Sequence, residues 1–182
     1  MPTLPDDDLK ARILPVRLVI FDVDGVLTDG RIVYHDDGTE TKAFDVKDGH
    51  GIKLLLRSGL DAALITGRSS QVVLHRARDL GVTRVYQNAK RKLDAYGDLL
   101  AATGLGEHEL AYVGDDLIDI PIMRRVGFSV AVADASPHVF PFAHYVTRAP
   151  GGRGAAREVC ELLLSVQRRW EGVTRRYFED SL

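Results

Sequence analysis

Two short runs of carboxylates stand out from the rest of this chain. The first is Asp22-Val23-Asp24-Gly25, directly after the apolar run Val16 to Phe21. Acids two residues apart at a strand end repel one another, and a hard divalent cation with oxygen-only ligands, Mg2+ above all, relieves that repulsion. One carboxylate can then attack an electrophile while the other handles the proton. Gly25 lets the backbone approach a phosphate, whose oxygens the neighbouring amides can hold. The second run is Gly114-Asp115-Asp116-Leu117-Ile118-Asp119, straight after Ala111-Tyr112-Val113. Its three acids also suit a cation. Between the two runs lie Ile65-Thr66-Gly67-Arg68-Ser69-Ser70 and Lys90-Arg91-Lys92. A hydroxyl at a strand end, next to a helix N-terminus, can bind a phosphoryl oxygen. A lysine at a helix start is mildly unfavourable, so a nearby anion would give it a reason to be there. Each motif has a plainer reading when taken alone: an Asp-Gly turn, a helix cap at Thr66 or Ser69, solvated lysines, an acidic N-cap cluster.

What joins the four is the set of elements that must position them. Apolar runs predict strands over 16–21, 62–65, 84–86, 110–113, 129–132 and 144–146. Helical spacing and stop signals predict helices over 49–57 behind an Asp48 N-cap, 69–80, 90–102, 117–126 and 155–169. Strands alternating with helices make βαβ units and a parallel sheet, here a three-layer α/β fold of Rossmann-like type. In such sheets ligands bind at the carboxyl ends of the strands, and all four motifs fall there. Residues 30–46, around His35-Asp36-Asp37-Gly38, predict a β-hairpin inserted after the first strand. Residues 1–14, acidic and proline-flanked, read as a loose N-terminus, and 168–182 as a C-terminal tail.

The chain has 182 residues, a length that fits a single domain, and 45% of them are hydrophobic, enough for a real core. Net charge is −2, which argues against a broad nucleic-acid footprint. The first residues lack the pattern of a secretion signal, and no segment is apolar enough to span a membrane. The lone cysteine, Cys160, excludes an intrachain disulfide and fits a reducing compartment. A soluble, cytoplasmic protein is expected.

In order, Asp22-x-Asp24-Gly25-Val26, Thr66, Lys92 and Gly114-Asp115-x-x-x-Asp119 resemble the four motifs of the haloacid dehalogenase superfamily. The resemblance implies a phosphatase. Asp22 would be the nucleophile and Asp24 the general acid and base. Thr66 and Lys92 would bind the transferring phosphoryl group, with Lys90 as the nearby alternative to Lys92, and Gly25 and Gly67 would line the phosphate. Asp22, the Asp24 main chain and Asp115 would hold Mg2+, while Asp116 and Asp119 orient the site from behind. The spans from Gly25 to Thr66 and from Thr66 to Lys92 leave no room for the cap domain that many members carry. A neighbouring subunit is then the economical way to exclude water.

A finer resemblance covers residues 21–30, 44–52, 64–68, 114–123 and 152–163. These are similar to the branch that dephosphorylates 3-deoxy-D-manno-octulosonate 8-phosphate in lipopolysaccharide synthesis. This implies a phosphorylated sugar acid as substrate and a homotetramer assembled through the hairpins. It also implies a tail that reaches a neighbour's active site. Arg68, and Arg76 about two helical turns on, are candidates for the sugar carboxylate. Two alternatives remain open: another sugar-acid phosphate, such as a nine-carbon ulosonate 9-phosphate, or a non-catalytic oligomerisation module.

Overall fold

The computed structural model describes residues 6–179. The chain runs α1 (Asp7–Ile13), β1 (Leu18–Phe21), β2 (Val33–Tyr34), β3 (Glu40–Thr41), α2 (Val46–Arg57), β4 (Asp61–Ile65), α3 (Gln71–Leu80), β5 (Arg84–Tyr86) and α4 (Lys92–Thr103). It continues with β6 (Leu110–Gly114), α5 (Ile120–Met123), β7 (Phe128–Ala131), β8 (Tyr145–Val146), α6 (Ala155–Val166) and α7 (Trp170–Thr174). Six strands form one sheet in the order β5-β4-β1-β6-β7-β8, and every pairing in it is parallel. Helices flank the sheet, giving the expected Rossmann-like α/β fold. β1 and β6 are buried along their whole length, as strands covered on both faces must be. Phe21, Tyr112 and Phe128 are the bulkiest fully buried side chains. β2 and β3 pair antiparallel as a separate hairpin. The strand order turns back beside β1, so the crevice at the carboxyl ends of β1, β4 and β6 is where a ligand should sit.

Several boundaries differ from expectation for identifiable reasons. Residues 6–13 are not loose: Asp6 caps α1 through the Leu9 amide at 2.9 Å, and Ile13 is fully buried. Gln167 fastens the end of α1 by donating to the carbonyls of Ile13 and Val16. Residues 1–5 lie outside the described residues, as do 180–182 of the expected tail. α2 begins at Val46 because Asp45, not Asp48, caps it. Asp48 is buried and accepts instead from the amides of Gly154 and Arg157, capping α6 across the core. The expected helix 117–126 is a 3-10 turn over Leu117–Asp119 followed by the single turn of α5.

Candidate active site

The first loop leaves β1 at Asp22, whose amide donates to the Val113 carbonyl of β6 at 3.0 Å. The Thr28 hydroxyl closes the loop, donating to the Val23 carbonyl and accepting from the Gly25 and Gly30 amides. Gly25 has φ +91°, and a Cβ there would lie 2.1 Å from Asp115 Oδ2. A side chain there would displace the Asp115 carboxylate and strain the left-handed backbone, so glycine is what lets the first loop touch the fourth. On its other side the loop rests on Gly151, where a Cβ would lie 1.7 Å from the Gly25 carbonyl oxygen. Gly151, next to the 152–163 stretch, thus braces the loop that holds Asp22.

Lys92 is the first residue of α4 and is buried. Its Nζ lies 2.9 Å from Asp22 Oδ1 and 2.6 Å from Asp119 Oδ1. Lys90 is exposed. Asp119 is 0% exposed. Its Oδ1 accepts from Lys92 and from the Tyr112 hydroxyl; its Oδ2 accepts from the amides of Asp115 and Asp116. Those four donors leave it no free acceptor directed at a ligand. Asp116 is exposed, and its own carboxylate only caps the turn at the Leu117 amide. Only its amide serves the cluster.

Carboxylate oxygens of Asp22, Asp115 and Asp119 lie within 4.8 Å of one another. Among the described residues a single ammonium, that of Lys92, pairs with this group. Burial, then the Asp119 charge, pushes Asp22 up to about 7 despite Lys92. Burial, then the charges of Asp22 and Asp119, pushes Asp115 up to about 8. Burial alone would lower the Lys92 ammonium, but Asp22 and Asp119 more than offset it, and its pKa rises. Asp115 Oδ1 is buried without a partner. An orphaned carboxylate oxygen in a crowded acidic cluster fits a hard divalent cation.

Asp24 points elsewhere. Its Oδ1 forms an ion pair with Lys42, just past β3, and its Oδ2 is 4.0 Å from Arg68 Nε. Arg68 also donates to Glu40 Oε2 at 3.1 Å and to the Tyr34 hydroxyl at 3.0 Å, tying the hairpin to the loop after β4. Lys42 was not foreseen. In sequence it is one more lysine of an exposed hairpin, and only the fold buries it.

Thr66 sits buried at the end of β4, with its amide on Tyr86 and its hydroxyl 3.4 Å from the Arg68 amide. Gly67 beside it has open space on its Cβ side, with nothing nearer than the Ala89 carbonyl oxygen at 3.9 Å. Arg76 is not brought to the cluster. It lies over the Phe44 ring and donates to the Asp45 carbonyl at 2.9 Å, fastening α3 to the start of α2. In the tail, Arg57 of α2 donates to the Val173 carbonyl and the Tyr177 hydroxyl.

Residues 81–158 match the model of the haloacid dehalogenase-like hydrolases. The chain is 52% identical to the 3-deoxy-D-manno-octulosonate 8-phosphate phosphatase KdsC of Yersinia pestis, over 92% of this chain and 90% of the relative. It is 52% identical to that of Escherichia coli K12 over 88% and 85%. A crystal structure of the Moraxella catarrhalis phosphatase, with magnesium, phosphate and KDO, superposes with a TM-score of 0.92 at 39% identity, covering 95% of this chain and 99% of that one. Identity of this extent along nearly the whole of both chains reflects common descent, and the chain belongs to the KdsC family of haloacid dehalogenase-like hydrolases.

Proposed function

We propose that this protein is a Mg2+-dependent phosphomonoesterase that hydrolyses 3-deoxy-D-manno-octulosonate 8-phosphate through an aspartyl-phosphate on Asp22, in lipopolysaccharide synthesis. The single observation that carries it is the unlike setting of two acids two residues apart. Asp22 is buried against Lys92 and the acidic cluster, while Asp24 turns toward Lys42 and the open hairpin side. Two carboxyl groups in unlike settings can divide nucleophile from acid–base work.

Asp22 and Asp115, with the Asp24 main-chain carbonyl, would hold Mg2+, which when bound offsets their charge and screens the incoming phosphate. Lys92 and Thr66 then hold phosphoryl oxygens, and the glycines at 25 and 67 leave room for them. The Asp22 carboxylate attacks phosphorus in line as the sugar oxygen departs. Protonated Asp24 gives its proton to that oxygen, which leaves as the alcohol. Asp24 then takes a proton from water, whose oxygen attacks phosphorus, freeing phosphate and restoring the Asp22 carboxylate. Asp119 attacks nothing; its four hydrogen-bonded donors fix Lys92 and the Asp115–Asp116 backbone. Positioning and charge stabilisation do most of the work, as in phosphoryl transfer generally.

Arg68 is the cation we assign to the sugar carboxylate; Arg76 is taken up by Asp45 and Phe44. The magnesium, phosphate and sugar acid named for the Moraxella relative support this substrate class. We further assign the whole chain to one catalytic domain working as a cytoplasmic homotetramer. Ile32, Val33 and Tyr34 leave the hairpin with exposed apolar side chains that self-association would cover. Among the described residues no helix is long and apolar enough to cross a membrane. The test is phosphate release by wild type against Asp22→Asn. Wild type should turn over only with a divalent cation, and the variant should be inactive with its assembly unchanged.

A further inference from the structure

We propose that Lys42 is a positioning residue for Asp24, holding the carboxyl that protonates the leaving oxygen. This inference rests on the role of Asp24 given above and extends it to a residue with no part in the four motifs.

The Lys42 side chain is 1% exposed although it belongs to a hairpin whose Val33 and Tyr34 lie open to solvent. Its ammonium pairs with Asp24 Oδ1, the one ion pair it makes among the described residues. Exchanging a buried ion pair for well-packed apolar groups is often neutral for stability. A buried ammonium is retained at some cost in desolvation, so the sequence has put it there for its partner.

That partner has few other restraints. Asp24 lies in a loop, its carboxyl 20% exposed, and its other oxygen is 4.0 Å from Arg68. Without Lys42 the carboxyl would be free to rotate into solvent. With it, one oxygen is pinned, while the other lies 4.0 Å from Arg68 Nε. When Asp24 hands its proton to the departing sugar oxygen, it becomes a carboxylate next to an ammonium already in place. Glu40 and Tyr34 anchor the hairpin through Arg68, so the hairpin delivers Lys42 as part of the catalytic frame.

Leaving-group chemistry separates this role from a merely structural one. A sugar alkoxide needs its proton as the bond breaks, whereas p-nitrophenolate departs well without one. The experiment compares Lys42→Met, Lys42→Gln and Lys42→Arg with wild type on both 3-deoxy-D-manno-octulosonate 8-phosphate and p-nitrophenyl phosphate. General-acid assistance is typically worth about 10²–10⁴-fold. We expect Lys42→Met and Lys42→Gln to lose about 10²-fold in kcat on the sugar phosphate and less than about fivefold on the aryl phosphate. Lys42→Arg should recover most of the loss. Equal losses on the two substrates, or no loss on either, would overturn the proposal. If one neutral variant fails to fold, the other carries the comparison, and the partial change in Lys42→Arg must show the same split between substrates. Asp22→Asn is run alongside: activity surviving in that variant would sink the phosphatase reading itself, whatever Lys42 does.

Discussion

Lys92 stands between two carboxylates, 2.9 Å from Asp22 and 2.6 Å from Asp119, with Tyr112 closing on the same Asp119 oxygen. One ammonium thus serves two acids. Removing it by Lys92→Met leaves buried carboxylates without their cation. Truncating one member of such a network costs about 3–5 kcal/mol. We expect a loss near 3 kcal/mol in urea unfolding at neutral pH, shrinking in acid as the carboxylates protonate, and a loss of activity at every pH.

Asp22 and Asp115 set a pH dependence. Their folded values of about 7 and about 8 lie above the unfolded 3.8. Between these limits the folded state binds more protons than the unfolded state. Stability from these groups is therefore fully present at low pH and is lost as pH rises through about 7 and 8. Bound Mg2+ should remove the penalty. Melting curves with EDTA and with Mg2+, from about pH 5 to about pH 9, should diverge as pH rises. A gap that stays constant or narrows would show that the cation binds elsewhere.

Asp22→Asn should separate stability from function. It removes one charge from a crowded acidic cluster, so without divalent cation the variant should melt no lower than wild type. Its turnover should fall by about 10⁴-fold or more, since the nucleophile is gone. Thermal melts and phosphate release on the same preparations check both halves.

Gly151→Ala tests the brace behind the first loop. Its Cβ would lie 1.7 Å from the Gly25 carbonyl oxygen, a main-chain atom that cannot swing aside. We expect destabilisation of about 3 kcal/mol in urea unfolding and weaker retention of Mg2+. Gly97→Ala, where a Cβ meets nothing within 4 Å, is the control and should be near neutral or stabilising.

Legibility in the sequence followed how local each signal was. β1, β4 and β6 were readable because buried parallel strands are uninterrupted apolar runs, and the acids after β1 and β6 mark where those two runs stop. Helix starts were less so. Asp45 and Asp48 are both plausible caps three residues apart, and only the packing of α6 draws Asp48 away. α1 is too short to be stable alone and forms because Ile13 enters the core and Gln167 secures its end. Arg76 shares a sequence neighbourhood with Arg68, yet Phe44 and Asp45 claim it. Lys42 lay beyond any local signal, since its burial comes from docking the hairpin against the first loop.

The most direct test of the account is Mg2+-dependent phosphate release from a panel of three substrates. They are 3-deoxy-D-manno-octulosonate 8-phosphate, a nine-carbon ulosonate 9-phosphate and simple hexose phosphates. A preference of about a hundredfold in kcat/KM for the octulosonate, about 2.7 kcal/mol in transition-state binding, is the predicted result. A flat profile, or release that is indifferent to divalent cation, would contradict it.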